Sequence, residues 1–96
     1  MEWRFEWDES KSARCFRERG FDFAYASQVF LDPSRLEFAD TRWDYGEPRT
    51  VTMGRIDRFV FVVVHTRRET RTRIISARRA SRQETKLYEQ PTPKRH

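Results

Sequence analysis

The chain contains 96 residues, with 20 Lys and Arg against 15 Asp and Glu, and a formal net charge of +5 at pH 7. This length predicts one domain with a single modest core, which we place at residues 1–90, followed by a flexible tail over 91–96. The single cysteine excludes an internal disulfide, and the lack of a signal-peptide pattern or a bilayer-spanning apolar run predicts a soluble, cytoplasmic protein with no membrane contact.

The first half of the chain predicts one strand and two helices. Large aromatic residues alternate with charged ones over residues 3–7, which is the periodicity of a strand with one buried face. Asp8 is a favourable N-cap for a helix over 9–19, and Gly20 is the residue type that ends a helix in the left-handed conformation. A second helix is expected over about 23–31, where apolar residues recur at helical spacing before an Asp-Pro pair.

The second half predicts four strands and a last helix. Residues 59–66 form an apolar, β-branched run that is typical of a strand covered on both faces. Ser81 and Glu84 have the spacing of a capping box, which opens a short final helix. The other predicted strands are an edge strand around Leu36 and Phe38, a strand over 49–56 and a strand over 71–79. The order β-α-α-β-β-β-β-α predicts an α+β fold with an antiparallel sheet, one face of which the helices avoid.

Basic residues are concentrated in the second half of the chain. Residues 1–48 carry 7 Lys and Arg with 11 Asp and Glu, whereas residues 49–96 carry 13 and 4. Seventeen of the 20 basic residues are arginine, which pairs bidentately with phosphate and stacks on bases. We therefore expect the second half to face nucleic acid; the alternative is that the charge only keeps a small domain soluble.

Several motifs occur together in a fixed order along most of the chain. They are Phe5-Glu6-Trp7-Asp8 followed by Lys11, Val29-Phe30-Leu31-Asp32-Pro33, Gly46-Glu47 with Arg49, Val63-Val64-His65-Thr66, and Arg73-Ile74-Ile75-Ser76-Ala77-Arg78. With these motifs, residues 5–89 resemble the BrnT family, the ribonuclease toxins of bacterial type II toxin–antitoxin pairs. The sequence departs from the family's pattern at Cys15, Glu18-Arg19 and Arg67.

This resemblance implies a RelE-like fold and a small basic endoribonuclease that arrests translation. It also implies inhibition by a BrnA-like antitoxin, whose ribbon-helix-helix domain binds the operator, in a 2:2 heterotetramer. No cofactor is expected, because the sequence contains no Cys/His cluster or paired acidic motif of the kind that binds a metal. The arginines alone fit a second function, a non-catalytic module that binds nucleic acid or a partner protein.

Metal-free RNA cleavage needs a proton acceptor for the 2′-hydroxyl, a proton donor for the leaving oxygen, and positive charge at the phosphate. Arginine is a poor base, so the candidates for proton transfer are His65, Glu84, Tyr88 and Lys11. Each has a structural alternative. These are a half-buried histidine bonded to the backbone, a helix cap, a core tyrosine and a solvated lysine, respectively.

Arginines supply the predicted phosphate ligands, and we expect Arg68, Arg73 and Arg78 to bind the scissile phosphate. Strand alternation places Arg73 and Arg78 on opposite faces unless the strand has bent by Ala77. An ion pair between Arg73 and Glu6 is the structural alternative. The outer RNA-binding residues are predicted to be Lys11, Arg67, Arg71, Arg79 and Arg82.

Overall fold

The computed structural model describes residues 3–90, so the predicted tail over 91–96 lies outside the described residues. The strands are β1 (Phe5–Trp7), β2 (Leu36–Ala39), β3 (Thr50–Ile56), β4 (Phe59–Arg68) and β5 (Arg71–Arg79). The helices are α1 (Glu9–Arg19), α2 (Phe23–Ala26), a 3₁₀ helix (Ser27–Leu31) and α3 (Arg82–Glu89). No helix in this part of the chain combines the length and the apolarity needed to cross a membrane.

The five strands form one sheet in the order β1-β5-β4-β3-β2, and the fold is of the predicted α+β class. β2, β3, β4 and β5 are antiparallel neighbours. β1 instead pairs in parallel with β5, with Phe5 opposite Thr72 and Trp7 opposite Ile74. The prediction of an antiparallel sheet is therefore wrong for β1, because its partner lies far along the chain and no local signal specifies the direction of pairing.

One face of the sheet packs against the helices of the first half of the chain. Phe61 and Val63 of β4 share a buried cluster with Phe23 and Val29 from the helical layer. The aromatic stripe over residues 3–7 packs against the same cluster, in agreement with its predicted core role. We call this side the helix-covered face.

The opposite face carries a second apolar cluster, and we call it the cleft face. Val51, Val62 and Val64 belong to this cluster, and Tyr88 of α3 packs against it. α3 thus lies across the sheet from the other helices. This corrects the expectation that the helices avoid one face: the polar sequence of α3 gave no sign that Tyr88 would attach it there.

Local signals set the boundaries of α1. The Asp8 side chain accepts hydrogen bonds from two backbone N–H groups of the first turn, and Gly20 ends the helix with a φ of 87°. Both caps were predicted, and α1 covers the predicted residues. The second predicted helix is present in two pieces, because α geometry changes to 3₁₀ geometry at Ser27.

Candidate functional site

A β-bulge in β5 brings two of the predicted phosphate ligands to one face. The register between β4 and β5 shifts after Val64, which leaves Ile75 as an extra residue in β5. One extra residue reverses the alternation of the side chains beyond it. Arg73 and Arg78 therefore both lie on the cleft face. Arg73 is opposite Thr66 and Arg78 is opposite Val62, and these two β4 residues are on the same face as Val64. The two arginines thus share a face, but each pairs with a different carboxylate, and only Arg78 lines the cleft described below.

Carboxylates pair with the arginines at one end of the cleft face. Arg73 lies 2.9 Å from Glu6, and Arg71 lies 3.9 Å from the same carboxylate. Arg68 pairs with Glu47 at 3.4 Å. The ion pair foreseen as the structural alternative for Arg73 is thus observed. A guanidinium has five N–H donors, so a single carboxylate leaves donors for a further anion.

A cleft of about 450 Å³ opens at the other end of the face, with Arg78 and Glu84 in its lining. The Arg78 guanidinium donates two parallel hydrogen bonds to the Glu84 carboxylate, at 2.7 and 2.8 Å. These bonds lower the pKa of Glu84 to about 2, so the carboxylate is ionised at neutral pH. Glu84 also completes the predicted capping box with Ser81. The cleft therefore brings together one predicted phosphate ligand, Arg78, and one predicted proton-transfer residue, Glu84.

A second and more basic pocket, of about 340 Å³, lies between α1 and β5. Lys11, Arg14 and Arg19 line it from α1, and Arg49 lines it from the residue before β3. Within residues 3–90, the three cations from α1 form no ion pair. Glu18 also lines this pocket, but the three cations from α1 leave it with an excess of positive charge.

The Arg49 side chain is held in place but is incompletely paired. Its guanidinium stacks on the Tyr45 ring at 3.9 Å and lies 3.7 Å from Glu47. Its Nε is buried and has no hydrogen-bond partner in the described part of the chain. A buried donor without a partner costs about 1–3 kcal/mol. The outer nitrogens of the guanidinium are the donors that a ligand could reach.

The cleft and the basic pocket meet at Ser76, which lines both. Ser76 directly follows the bulge in β5, so the bulge positions the residue that the two cavities share. An anionic chain that lies along β5 would meet both groups of cations.

His65 lies on the helix-covered face, away from these cavities. Its ring packs edge-on against Phe30 at a centroid distance of 4.9 Å, and its Nε2 lies 2.7 Å from the Thr52 hydroxyl. Burial lowers the pKa of His65, so the imidazole is neutral at pH 7. These are the contacts of a half-buried structural histidine, although its bond is to a side chain and not to the backbone.

Tyr88 lies one turn beyond Glu84 on α3 but does not line the cleft. Its hydroxyl donates a hydrogen bond to the Asp32 carboxylate, and the Arg55 guanidinium lies over its ring at 5.4 Å. Burial and the bond to Asp32 raise the pKa of Tyr88. Together with the ion pair between Arg55 and Glu89, at 2.9 Å, these contacts attach α3 to the sheet.

Three predicted RNA-binding arginines lie outside both cavities. Arg67 donates from its Nε to the backbone carbonyl of Glu69, Arg79 lies over the Phe59 ring at 3.7 Å, and Arg82 is the exposed first residue of α3. Their role in RNA binding stays a prediction. Lys11, by contrast, lies in the basic pocket, and Arg71 lies on the cleft face.

Sequence reasoning missed Arg14, Arg49 and Ser76 as site residues. Arg14 and Arg49 come together only because α1 packs beside β5, a contact that no spacing in the sequence reveals. Simple alternation assigned Ser76 to the face opposite Arg73, and the bulge reverses that assignment. Arg49 belongs to one of the motifs that carry the family resemblance, but nothing in that motif distinguishes it from an ordinary strand residue.

The fold and the two cavities define a small α+β domain that presents guanidinium and ammonium groups to an anionic ligand. Among residues 3–90, no three His, Cys, Asp or Glu side chains are placed to hold a metal ion together. A family model described as the ribonuclease toxin BrnT of type II toxin–antitoxin systems matches residues 7–84, and the chain belongs to this family. The comparison with curated proteins gave no match. Membership of a type II toxin family implies an RNA target and an antitoxin partner.

Proposed function

We propose that the chain is an endoribonuclease that cleaves RNA without a metal ion and arrests translation as the toxin of its pair. Family membership supports the ribonuclease activity. The observation that carries the proposal is the basic pocket, which gathers four cationic side chains beside β5: Lys11, Arg14, Arg19 and Arg49. Phosphate is the anion that fits best, because guanidinium groups bind its oxygens with charge-assisted hydrogen bonds.

A phosphate beside Ser76 would accept hydrogen bonds from Arg49, Lys11 and Arg14. Arg73 lies on the same face just before the bulge, and it keeps N–H donors that its bond to Glu6 does not use. Donors that are fixed in advance stabilise the added negative charge of the phosphorane more than that of the starting diester. Removal of one such donor typically lowers kcat by about 10²- to 10³-fold.

Glu84 is the proposed acceptor of the 2′-hydroxyl proton. While Arg78 holds it, its pKa of about 2 makes it a weak base. Transfer of Arg78 from Glu84 to the incoming phosphate would raise that pKa and free the carboxylate. The 2′-oxygen then bonds to phosphorus, the bond to the 5′-oxygen breaks, and the 5′-oxygen takes up a proton. The products are a 2′,3′-cyclic phosphate and a 5′-hydroxyl.

Tyr88 and His65 are the two predicted donors of the proton that the 5′-oxygen takes up, and this role stays a prediction for both. Tyr88 shares a helix and a sheet face with Glu84, but its hydroxyl would have to leave Asp32 and move towards the cleft. His65 lies behind the sheet, against Phe30. The geometry therefore supports Tyr88 better than His65 for this step.

We further propose that residues 1–90 form the toxin domain and that a BrnA-like ribbon-helix-helix antitoxin neutralises it in a 2:2 heterotetramer in the cytoplasm. The excess of cations in the basic pocket supports a partner that brings carboxylates. Such carboxylates would occupy the position of the phosphate and exclude RNA.

A non-catalytic RNA-binding module is the rival function, and the ion pairs that engage Arg73 and Arg78 favour it. Incubation of purified protein with single-stranded RNA in EDTA separates the two. Fragments with 2′,3′-cyclic phosphate ends are expected from the enzyme. Binding of intact RNA with no fragments would support the rival.

A further inference from the structure

One buried carboxylate, that of Asp40 directly after β2, holds the loop between β2 and β3 together. The Asp40 side chain is only 1% exposed. It accepts hydrogen bonds from the Arg42 guanidinium at 2.9 and 3.0 Å and from the Tyr45 hydroxyl at 3.2 Å. Tyr45 in turn supports Arg49 of the basic pocket at 3.9 Å. The loop is therefore anchored on both sides of the residue at position 43.

That residue is Trp43, and its side chain is 73% exposed. The other two tryptophans, Trp3 and Trp7, pack against the core. A large exposed indole on an anchored loop contributes nothing to the core, and its burial by a ligand costs little conformational entropy. Trp43 thus has the properties of a binding surface.

The neighbours of Trp43 indicate what it binds. Arg42, the preceding residue, lines the same cleft as Arg78, and Trp43 lies beside that lining. Phe38, which is 47% exposed, supplies an aromatic ring to the lining itself. Cations beside exposed aromatic rings are the combination that binds single-stranded nucleic acid, because phosphates pair with the cations while bases stack on the rings.

We propose that Trp43 is a stacking platform for an unpaired base of the RNA, next to the phosphate that lies on the cleft face. The proposal rests on the proposed ribonuclease function and adds to it that the substrate is single-stranded at the cleavage site. A paired base cannot reach the indole, because its faces are already stacked within the helix. Trp43 is a positioning and specificity-determining residue, since it contacts the substrate but no reacting atom.

The test measures the binding of a fluorescein-labelled, 2′-O-methylated RNA hexamer, which cannot be cleaved through its 2′-oxygens. Trp43→Ala should weaken binding about 5- to 150-fold, and Trp43→Phe should retain most of it. A second series of hexamers has one abasic nucleotide, placed at each position in turn. Wild-type protein should bind one hexamer of this series weakly, with the affinity that Trp43→Ala has for the intact hexamer. Phe16→Ala removes an exposed aromatic residue of α1 and is the matched control, with an affinity unchanged within about twofold.

Two outcomes would overturn the stacking role of Trp43 without affecting the proposed ribonuclease function. If wild-type protein cleaves RNA while Trp43→Ala binds the hexamer within twofold of wild type, the stacking role is wrong and the ribonuclease function stands. If Trp43→Ala binds the antitoxin more weakly but RNA normally, Trp43 belongs to the protein interface. If wild-type protein neither binds nor cleaves single-stranded RNA, the proposed function fails and the stacking role fails with it.

Discussion

Replacement of Glu84 by Gln tests the ion pair at the centre of the cleft. Glutamine at this position can still serve in the capping box, so the substitution mainly removes the charge that Arg78 binds. The pKa of Glu84 falls from 4.5 to about 2, and at 1.36 kcal/mol per unit this corresponds to about 3 kcal/mol. The Arg78 side chain is 43% exposed, so we reduce the expected loss of unfolding free energy to about 1–2 kcal/mol.

The pH dependence of this loss identifies its cause. Because folding lowers the pKa of Glu84, its contribution is complete above about pH 4.5 and disappears as the pH falls towards 2. Urea unfolding of wild type and Glu84→Gln between pH 7 and pH 2.5 should therefore give curves that converge at low pH. At pH 7 the melting temperature should fall by about 5–15 °C.

Glu89→Gln is the matched control on the same helix. Its ion pair with Arg55 involves side chains that are 53% and 36% exposed, so the expected loss is below about 1 kcal/mol at every pH. An equal loss for Glu84→Gln at pH 7 and at pH 2.5, or no loss at pH 7, would contradict the reasoning about Arg78.

Two further substitutions test how the layers are attached to the sheet. Tyr88→Phe removes the hydrogen bond to the Asp32 carboxylate and should lower the unfolding free energy by about 1–2 kcal/mol in urea, a result that an unchanged midpoint would contradict. The cleavage rate of the folded variant separately tests the predicted role of Tyr88 as proton donor. Gly54→Ala would place a Cβ 2.8 Å from the Cβ and the carbonyl oxygen of Val29, so we expect a loss of about 1–3 kcal/mol, and wild-type stability of this variant would refute the contact.

Features that depend on neighbouring residues were predictable from the sequence. α1 has its predicted boundaries because Asp8 and Gly20 act within one turn of the helix ends. The capping box of α3 formed at the predicted residues for the same reason, and the run of β-branched residues in β4 gave the central strand. The core role of the aromatic stripe over residues 3–7 followed from its alternation.

Features that depend on distant contacts were not predictable. The parallel pairing of β1 with β5 joins strands that are far apart in the sequence, with Phe5 opposite Thr72. The place of α3 on the cleft face depends on a bond between Tyr88 and Asp32. The bulge at Ile75 decided the composition of the site. Strand alternation alone separated Arg73 from Arg78, and only the register with β4 shows that they share a face.

Arg49→Lys shows whether the arginines around Ser76 hold the scissile phosphate of an RNA, the claim on which the proposed function rests. Lysine keeps the positive charge but lacks the buried Nε–H and the planar guanidinium. In EDTA, wild-type protein should cleave single-stranded RNA, Arg49→Lys should have a kcat lower by about 10²- to 10³-fold, and Arg58→Lys in the β3–β4 turn should match wild type. Folded Arg49→Lys that cleaves as fast as wild type would contradict the claim.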